Sequence, residues 1–207
     1  SGYLVNDPAL VQPKGSGKLL LFFSRSPNSS IEACRKKEEP LWACPDIRKS
    51  REIAFASSID NGETWKFENV IVNANNSGDL SAPSQPAAVQ VGEEIWLYYG
   101  TYPETFMKEN IFRLRLSSDT KKTLSEAERV KMDGFSPGMF FENPHLVRLK
   151  CPLKSSHLFT MVVNNRQKNA IFFHSSIDGI HFRGSFQSVL PFEEKLLASP
   201  TQMPGPA

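Results

Sequence analysis

Apolar and polar positions along the 207-residue chain follow a pattern that recurs in the same order at least three times. Each copy opens with a polar residue, a proline and a mostly apolar run, and these prolines are Pro8, Pro86, Pro144 and, in the weakest match, Pro200. Successive prolines are 78, 58 and 56 residues apart (86−8, 144−86, 200−144). A recurring pattern of this length indicates a repeat architecture.

The residues after the first three prolines predict further strands in each copy. An aliphatic and aromatic run comes next, at residues 19–23, 95–99 and 157–163. A third run ends in Ser and Asp, at residues 53–60, 112–119 and 171–178, and a short aromatic run follows at 65–67 and 182–186. About four short strands separated by turn residues are typical of a propeller blade. A competing helical pattern is confined to residues 123–130.

The sequence therefore predicts an all-β protein, a β-propeller of four-stranded antiparallel blades. Blade 1 is expected at about 6–70, blade 2 at about 82–135, blade 3 at about 142–192 and the start of a fourth blade at about 197–207. Because at least four blades are usual in a closed ring, we expect the chain to cover only part of the ring. A double-sheet sandwich is the structural alternative. The pattern leaves open whether the chain is a fragment, a processed subunit or one part of an assembly, and what its oligomeric state is.

The overall composition narrows the expected partners. Hydrophobic residues make up 40% and charged residues 22% of the chain, with a formal net charge of +2. This balance gives no strongly basic surface for nucleic acid or for an anionic membrane. No apolar run approaches the roughly 18 residues that span a bilayer. We therefore expect neither nucleic acid nor a membrane as a partner.

The cysteines and two short motifs bear on the compartment. Cys34 and Cys44 fall in one loop-like segment, and a disulfide between them requires an oxidising environment. Asn28 and Asn75 each begin an N-x-[ST] sequon in a turn-rich stretch. Together these features favour a secreted or extracytoplasmic protein.

Residues 58–65 read S-I-D-N-G-E-T-W and resemble the Asp-box of sialidases and related propellers, S-x-D-x-G-x-T-W. Residues 176–182 form a shorter relative, with Phe182 in place of the tryptophan. The motif is expected to be structural, because Ser58 and Asp60 can hydrogen-bond the backbone of a tight turn while Trp65 packs beneath it. We therefore expect no catalytic role for Asp60 or Asp178.

The candidate site follows from how inner strands meet in a propeller. Their first residues converge on one mouth of the central channel, and here these are Asp7, Gln85, Glu142 with Asn143, and Ser199. Two carboxylates in one polar funnel suit glycoside hydrolysis, in which one stays ionised and the other is protonated to donate to the leaving oxygen. The neighbouring Asn6 and His145 are further candidates for sugar binding. The histidines lack metal-ligand spacing and no phosphate loop, serine elbow or cysteine-nucleophile motif occurs, so we expect no metal or other cofactor.

Asp7-Pro8 and Glu142-Asn143-Pro144 carry a family resemblance. With these motifs the chain resembles the five-bladed glycoside hydrolases, the clan of arabinanases, xylosidases and invertases. The resemblance implies five blades in the complete ring, Asp7 as base or nucleophile, and Glu142 as general acid. A middle-blade aspartate that tunes the site in that group is missing, because Gln85 and Asn143 occupy the inner-strand starts.

Three functions are compatible with these features. The leading hypothesis is a glycoside hydrolase-like protein that acts on a carbohydrate substrate through paired carboxylates. A sialidase-like protein is the second, favoured by the Asp-box motif alone. The third is a non-catalytic propeller that binds glycan or protein, favoured by the missing middle aspartate and the incomplete ring.

Overall fold

Three β-sheets make up most of the computed structural model, which describes residues 2–38, 44–79, 81–101, 110–133, 141–150, 157–165 and 170–184. The first sheet consists, from its inner to its outer edge, of β1 (Tyr3–Val11), β2 (Leu19–Pro27), β3 (Glu52–Ser58) and β4 (Lys66–Val72). All of its neighbouring strands are antiparallel. This sheet is the predicted first blade.

The second sheet repeats this order with β5 (Pro83–Val91), β6 (Glu94–Thr101), β7 (Asn110–Ser117) and β8 (Glu128–Arg129). Its outer strand β8 is only two residues long, and Leu116 adds an isolated bridge to Thr123. Residues 123–130, where the sequence showed a helical pattern, therefore contain bridge and strand pairing and no helix.

The third sheet differs from the other two at its outer edge. After β9 (Lys131–Asp133), the chain forms β10 (Phe141–Lys150), β11 (His157–Asn165), β12 (Ala170–Ser176) and β13 (His181–Gly184). These four strands are antiparallel, and β9 then pairs in parallel with β13 as a fifth strand. The segment that leaves the second sheet is thus hydrogen-bonded to the third.

The three sheets are arranged as neighbouring blades with their inner strands side by side. Strand β5 packs against both β1 and β10. Phe22 and Phe55 of the first sheet share an apolar core with Ile95 and Leu97 of the second. Between the second and third sheets, Trp96 stacks on Phe159 with ring centroids 5.0 Å apart. The predicted propeller fold, with β1, β5 and β10 innermost, is confirmed.

The two outward faces of this three-blade arc carry exposed apolar side chains. Leu10 on β1 is 58% exposed and Leu149 on β10 is 50% exposed. Their strand neighbours Val11 and Leu146 face the cores between blades and are buried. In a closed propeller each blade packs against a neighbour on both faces, so the exposed faces fit a chain that covers part of the ring.

Two short helices occupy the segment that the sequence indicated as a loop. Helix α1 (Asn28–Lys36) and helix α2 (Pro45–Ser50) lie between β2 and β3, and a Cys34–Cys44 disulfide connects them. Ile31 and Ile47 pack around the two sulfur atoms in a small separate core. The loop expectation was wrong because α1 contributes only Ile31 and Cys34 to this core and α2 only Ile47, too few positions for a clear helical period. No helix in the described ranges is both long and apolar enough to cross a membrane.

Candidate functional site

Each inner strand has the same irregularity at its proline. The pairing of the inner strand with the next strand shifts between Asn6 and Ala9, between Ser84 and Ala87, and between Glu142 and His145. Proline has no N–H to give to the ladder, and a bulge at this point redirects the neighbouring side chains. The bulge is therefore a repeated feature of the three blades.

The residue before the proline adopts an uncommon backbone conformation in the first two blades. Asp7 has φ 53° and Gln85 has φ 54°. For residues other than glycine, this left-handed region costs on the order of 1–3 kcal/mol and occurs preferentially where a site requires it. Asp7 and Gln85 therefore occupy equivalent, strained positions at the bulges of neighbouring inner strands.

The three bulges surround one cleft of about 400 Å³. Its walls come from all three inner strands and consist of Asp7, Pro8, Ala9, Leu10, Gln85, Pro86, Ala87, Ala88, Pro144, His145 and Leu146. Among the described residues, most of the wall is formed by apolar side chains, and the polar side chains in it are a carboxylate, a carboxamide and an imidazole. A concave apolar surface with a few convergent polar groups is the usual form of a small-molecule site.

A buried serine connects the two strained residues. The Ser24 hydroxyl donates a hydrogen bond to Asp7 Oδ2 at 3.3 Å and accepts one from the Gln85 backbone N–H at 3.0 Å. Ser24 is only 1% exposed, so water competes little for this hydroxyl. The contact fixes the carboxylate of blade 1 relative to the backbone of blade 2. Sequence reasoning missed Ser24, because its partner Gln85 is 61 residues away along the chain.

Further polar contacts stabilise the rim between the first two blades. Arg51 Nη1 donates to Ser84 Oγ at 3.0 Å, across the junction of the blades. Asp79 Oδ2 accepts from Thr101 Oγ1 at 2.6 Å and from Asn110 Nδ2 at 2.9 Å. These contacts hold the chain that leads into β5, and none of the five side chains that make them lines the cleft.

The predicted site residues divide into three groups. Asp7, Gln85 and His145 line the cleft. Asn6 is exposed, pairs with Ser24 and lies outside the cleft wall, because the bulge turns the residue after it inward. The side chains of Glu142 and Asn143 lie outside the described residues.

Ser199 also lies outside the described residues. In blade 3, the strand pairing at the bulge makes Glu142 equivalent to Asn6 and Ser84, and it makes Asn143 equivalent to Asp7 and Gln85.

The opposite ends of the blades carry three similar Ser-x-Asp turns. Ser58 Oγ donates to Asp60 Oδ1 at 2.6 Å, Ser117 Oγ to Asp119 Oδ1 at 2.6 Å, and Ser176 Oγ to Asp178 Oδ1 at 2.8 Å. Each carboxylate also accepts backbone N–H groups of its own turn, including that of Thr64 at 3.0 Å from Asp60 Oδ1.

In the first of these turns, hydrogen bonds from Ser58 and Thr64 lower the pKa of Asp60 to about 2. The predicted turn contacts of Asp60 are therefore present. Trp65 covers the turn while keeping 38% of its surface exposed.

The blade 3 turn also forms a contact between blades. The Tyr98 hydroxyl donates to the Gly179 carbonyl at 2.7 Å, and Arg113 Nη1 donates to the Asp178 carbonyl at 2.9 Å. The Arg113 guanidinium lies 4.4 Å from the Trp96 ring centroid, and Trp96 stacks on Phe159. Trp96 is thus part of the interface between blades.

One group of metal-ligand residue types occurs among the described residues, namely Cys34, Cys44 and Asp46. The two cysteines share a disulfide, so their sulfur atoms are not thiolate ligands.

Comparison with known proteins supports the fold without assigning a family. No protein-family model matches the chain, and no curated protein matches it either. Among solved structures, a family 117 glycoside hydrolase from the marine bacterium Zobellia galactanivorans matches with a TM-score of 0.62 and 15% identity, over 89% of this chain and 56% of that one. An α-L-arabinanase from Penicillium chrysogenum, complexed with arabinobiose, matches with a TM-score of 0.55 and 16% identity, over 88% and 49%. A family 43 β-1,3-galactosidase matches with a TM-score of 0.57 and 10% identity, over 89% and 58%.

These matches define the class of fold. The chain has the fold of the five-bladed β-propeller glycoside hydrolases, and it spans about half the length of the solved structures it matches. The resemblance that the motifs at Asp7 and Glu142 suggested is confirmed at the level of the fold.

Proposed function

We propose that this chain is a glycoside hydrolase-like protein that cleaves glycosidic bonds of a carbohydrate with a pair of carboxylates, Asp7 and Glu142. The observation that carries the proposal is the meeting of three equivalent bulges at one cleft, with the Asp7 carboxylate in its wall. The fold shared with glycoside hydrolases supports the same assignment, although fold alone does not determine function.

The two carboxylates have different roles in this proposal. Asp7 stays ionised and acts as base or nucleophile, and the Ser24 hydroxyl keeps one of its oxygens oriented. Glu142 is protonated and donates to the leaving glycosidic oxygen. Gln85 and His145 provide the polar groups that hydrogen-bond sugar hydroxyls in the cleft. Asn143 and Ser199 are further candidates for sugar contacts.

Hydrolysis of a panel of aryl glycosides tests the catalytic pair. Asp7→Asn and Glu142→Gln should each lower turnover by about 10²–10⁴-fold, the usual contribution of general acid–base catalysis. Glu63→Gln, at an exposed carboxylate outside the cleft, is the matched control and should keep wild-type turnover. Asn143→Ala separates the role of Glu142 from that of the neighbouring residue at the position equivalent to Asp7.

Wild-type protein that hydrolyses no glycoside, or turnover that survives both carboxylate substitutions, would contradict the proposal.

A non-catalytic glycan-binding propeller is the second candidate. It is favoured by Gln85, a neutral residue at the blade 2 position equivalent to the Asp7 carboxylate. In that case oligosaccharides should bind at the cleft without being cleaved, and Gln85→Ala should weaken binding more than Asp7→Asn. Calorimetry with unhydrolysed oligosaccharides distinguishes the two candidates. A sialidase-like function is supported by the Ser-x-Asp turns alone.

We further propose that the protein is secreted or otherwise extracytoplasmic, and that residues 58–65 are an Asp-box. The Cys34–Cys44 disulfide supports the first proposal, since such bonds persist in oxidising compartments. The hydrogen bonds of Asp60 within its own turn support the second. Thiol labelling of protein isolated from its source tests the compartment, because Cys34 and Cys44 should resist alkylation until a reductant is added.

A further inference from the structure

Three asparagines shape the turn between β4 and β5, and two of them use their side chains to build it. Asn73 Oδ1 accepts the Asn75 backbone N–H at 2.9 Å, and Asn76 Oδ1 accepts the Asn73 backbone N–H at 2.7 Å. Asn76 Nδ2 also donates to the Ile71 carbonyl at 3.0 Å. The turn is therefore held by the side chains of Asn73 and Asn76.

The third asparagine, Asn75, has a different environment. Its side chain is exposed and makes no hydrogen bond to any residue that the structure describes. Two residues later, Ser77 is fully buried, and its hydroxyl accepts the Ser81 backbone N–H at 3.1 Å. Within Asn75-Asn76-Ser77, the side chains of Asn76 and Ser77 therefore stabilise the turn, whereas the side-chain amide of Asn75 is directed away from it.

We propose that Asn75 is a site of N-glycosylation. Asn75, Asn76 and Ser77 form an N-x-[ST] acceptor sequence on a surface turn. In this transfer the Asn75 Nδ2 attacks C1 of an oligosaccharide carried on a lipid diphosphate. The N–C1 bond forms, the C1–O bond to the diphosphate breaks, and the proton lost from Nδ2 leaves with the lipid diphosphate. Because the Ser77 hydroxyl is buried after folding, the transfer takes place on the unfolded chain.

The other sequon offers less room for a sugar. Asn28 is the first residue of α1, and its backbone N–H donates to the Gly2 carbonyl at 3.0 Å. Its Nδ2, the atom that would carry the sugar, lies 2.5 Å from the position that a Cβ on Gly2 would occupy. Because transfer precedes folding, an oligosaccharide on Asn28 would have to displace this backbone as the chain folds, whereas one on Asn75 leaves the hydrogen bonds of its turn in place. We therefore expect the folded protein to carry its oligosaccharide at Asn75.

An independent observation points to the compartment that such a transfer requires. The Cys34–Cys44 disulfide belongs to an oxidising environment of the kind found along the secretory route. The Asn75 turn follows β4, the outermost strand of its blade, and Asn75 is not among the residues that line the cleft. The proposal is therefore independent of the catalytic role of Asp7 and Glu142.

Mass spectrometry of the whole chain, secreted from a eukaryotic cell, tests the proposal. Intact mass before and after treatment with peptide N-glycosidase F should reveal one oligosaccharide on the wild type. Asn28→Gln is the matched control and should keep the oligosaccharide, whereas Asn75→Gln should lose it. If Asn75→Gln is poorly secreted, peptide mapping of the wild type after enzymatic release in ¹⁸O-water should find the labelled aspartate at position 75. An unmodified wild type, modification at Asn28 alone or modification at both sites would overturn the proposal.

Discussion

Two glycine substitutions measure how strongly the blades pack on one another. Gly179 has φ +69°, and a Cβ added there would collide with the Trp96 ring and lie 2.7 Å from Tyr98 Oη. Gly92 has a similar φ of +62°, but a Cβ there would meet no atom within 4 Å. Gly179→Ala therefore adds a clash between blades 2 and 3 to the backbone strain that Gly92→Ala introduces alone.

The expected magnitudes follow from these two contributions. Alanine in the left-handed region costs about 1–2 kcal/mol, which both variants incur. Overpacking a filled interface costs about 1–3 kcal/mol more, which only Gly179→Ala incurs. The free energy of unfolding should therefore fall by about 1–2 kcal/mol for Gly92→Ala and by about 2–5 kcal/mol for Gly179→Ala. At roughly 2–4 °C per kcal/mol for a protein of this size, the Tm should fall by about 2–8 °C and about 4–20 °C respectively.

Thermal and urea unfolding, followed by circular dichroism, provide the comparison. The difference between the variants isolates the packing of the Gly179 turn against Trp96 and Tyr98, since the backbone strain cancels. A Tyr98→Phe variant supplies an independent check, because it removes the hydrogen bond to the Gly179 carbonyl and should cost about 0.5–1.5 kcal/mol. Equal destabilisation by Gly179→Ala and Gly92→Ala would refute the contact between blades.

Three further predictions concern stability. Hydrogen bonding lowers the pKa of Asp60 to about 2, so the contribution of its ionised carboxylate to the free energy of unfolding is complete above about pH 4 and is lost as pH falls through 2. Asp60→Asn should remove that part of the acid unfolding curve and leave ligand binding unchanged. A bound sugar that contacts Asp60 would contradict this prediction. Burial lowers the pKa of His174 to about 4, so the free energy of unfolding should decline as pH falls from 6.5 to 4. NMR titration of the imidazole checks this prediction. Protonation near pH 6.5 would be inconsistent with burial. Replacing Cys34 and Cys44, which are 10 residues apart, with serine should lower the free energy of unfolding by about 2–3 kcal/mol, because the unfolded chain gains loop entropy. The Tm should fall and should no longer respond to reductant. An unchanged Tm would exclude the disulfide.

The repeated pattern of the sequence was sufficient to predict the blades. The x-Pro pairs in β1, β5 and β10 repeat because each inner strand carries a bulge at which proline needs no ladder hydrogen bond. They lie inside the strands and not at their starts, since β1 already begins at Tyr3. Asp7 and Gln85 share one cleft because equivalent inner-strand positions face one axis, whereas His145 lines it from the position equivalent to Ala9 and Ala87. The sequence pattern therefore predicts the structure correctly for features that are formed within a single blade.

Features that depend on contacts between blades could not be predicted in this way. Ser24 connects Asp7 to Gln85 only because blades 1 and 2 pack against each other. The alternation of apolar and polar residues along a strand does not predict which residues of two blades come into contact. The parallel pairing of β9 with β13 likewise depends on where the connecting segment crosses to the next sheet. Asn6 lies outside the cleft wall because the pairing of β1 with β2 shifts by one residue at the bulge next to it. The sequence alternation of a regular strand does not reveal that shift.

The separation of the Asp7 and Glu142 carboxyl groups tests the central claim most directly. A crystal structure of the protein with an oligosaccharide bound should show both groups facing the one cleft, on opposite sides of the scissile bond. Their separation should be roughly 6.5–9.5 Å, the range that leaves room for an attacking water in inverting glycosidases, because the bulges of β1 and β10 lie two blades apart. Carboxyl groups separated by well over that distance, or directed to opposite ends of the channel, would contradict the catalytic pair and favour a propeller that binds glycans without cleaving them.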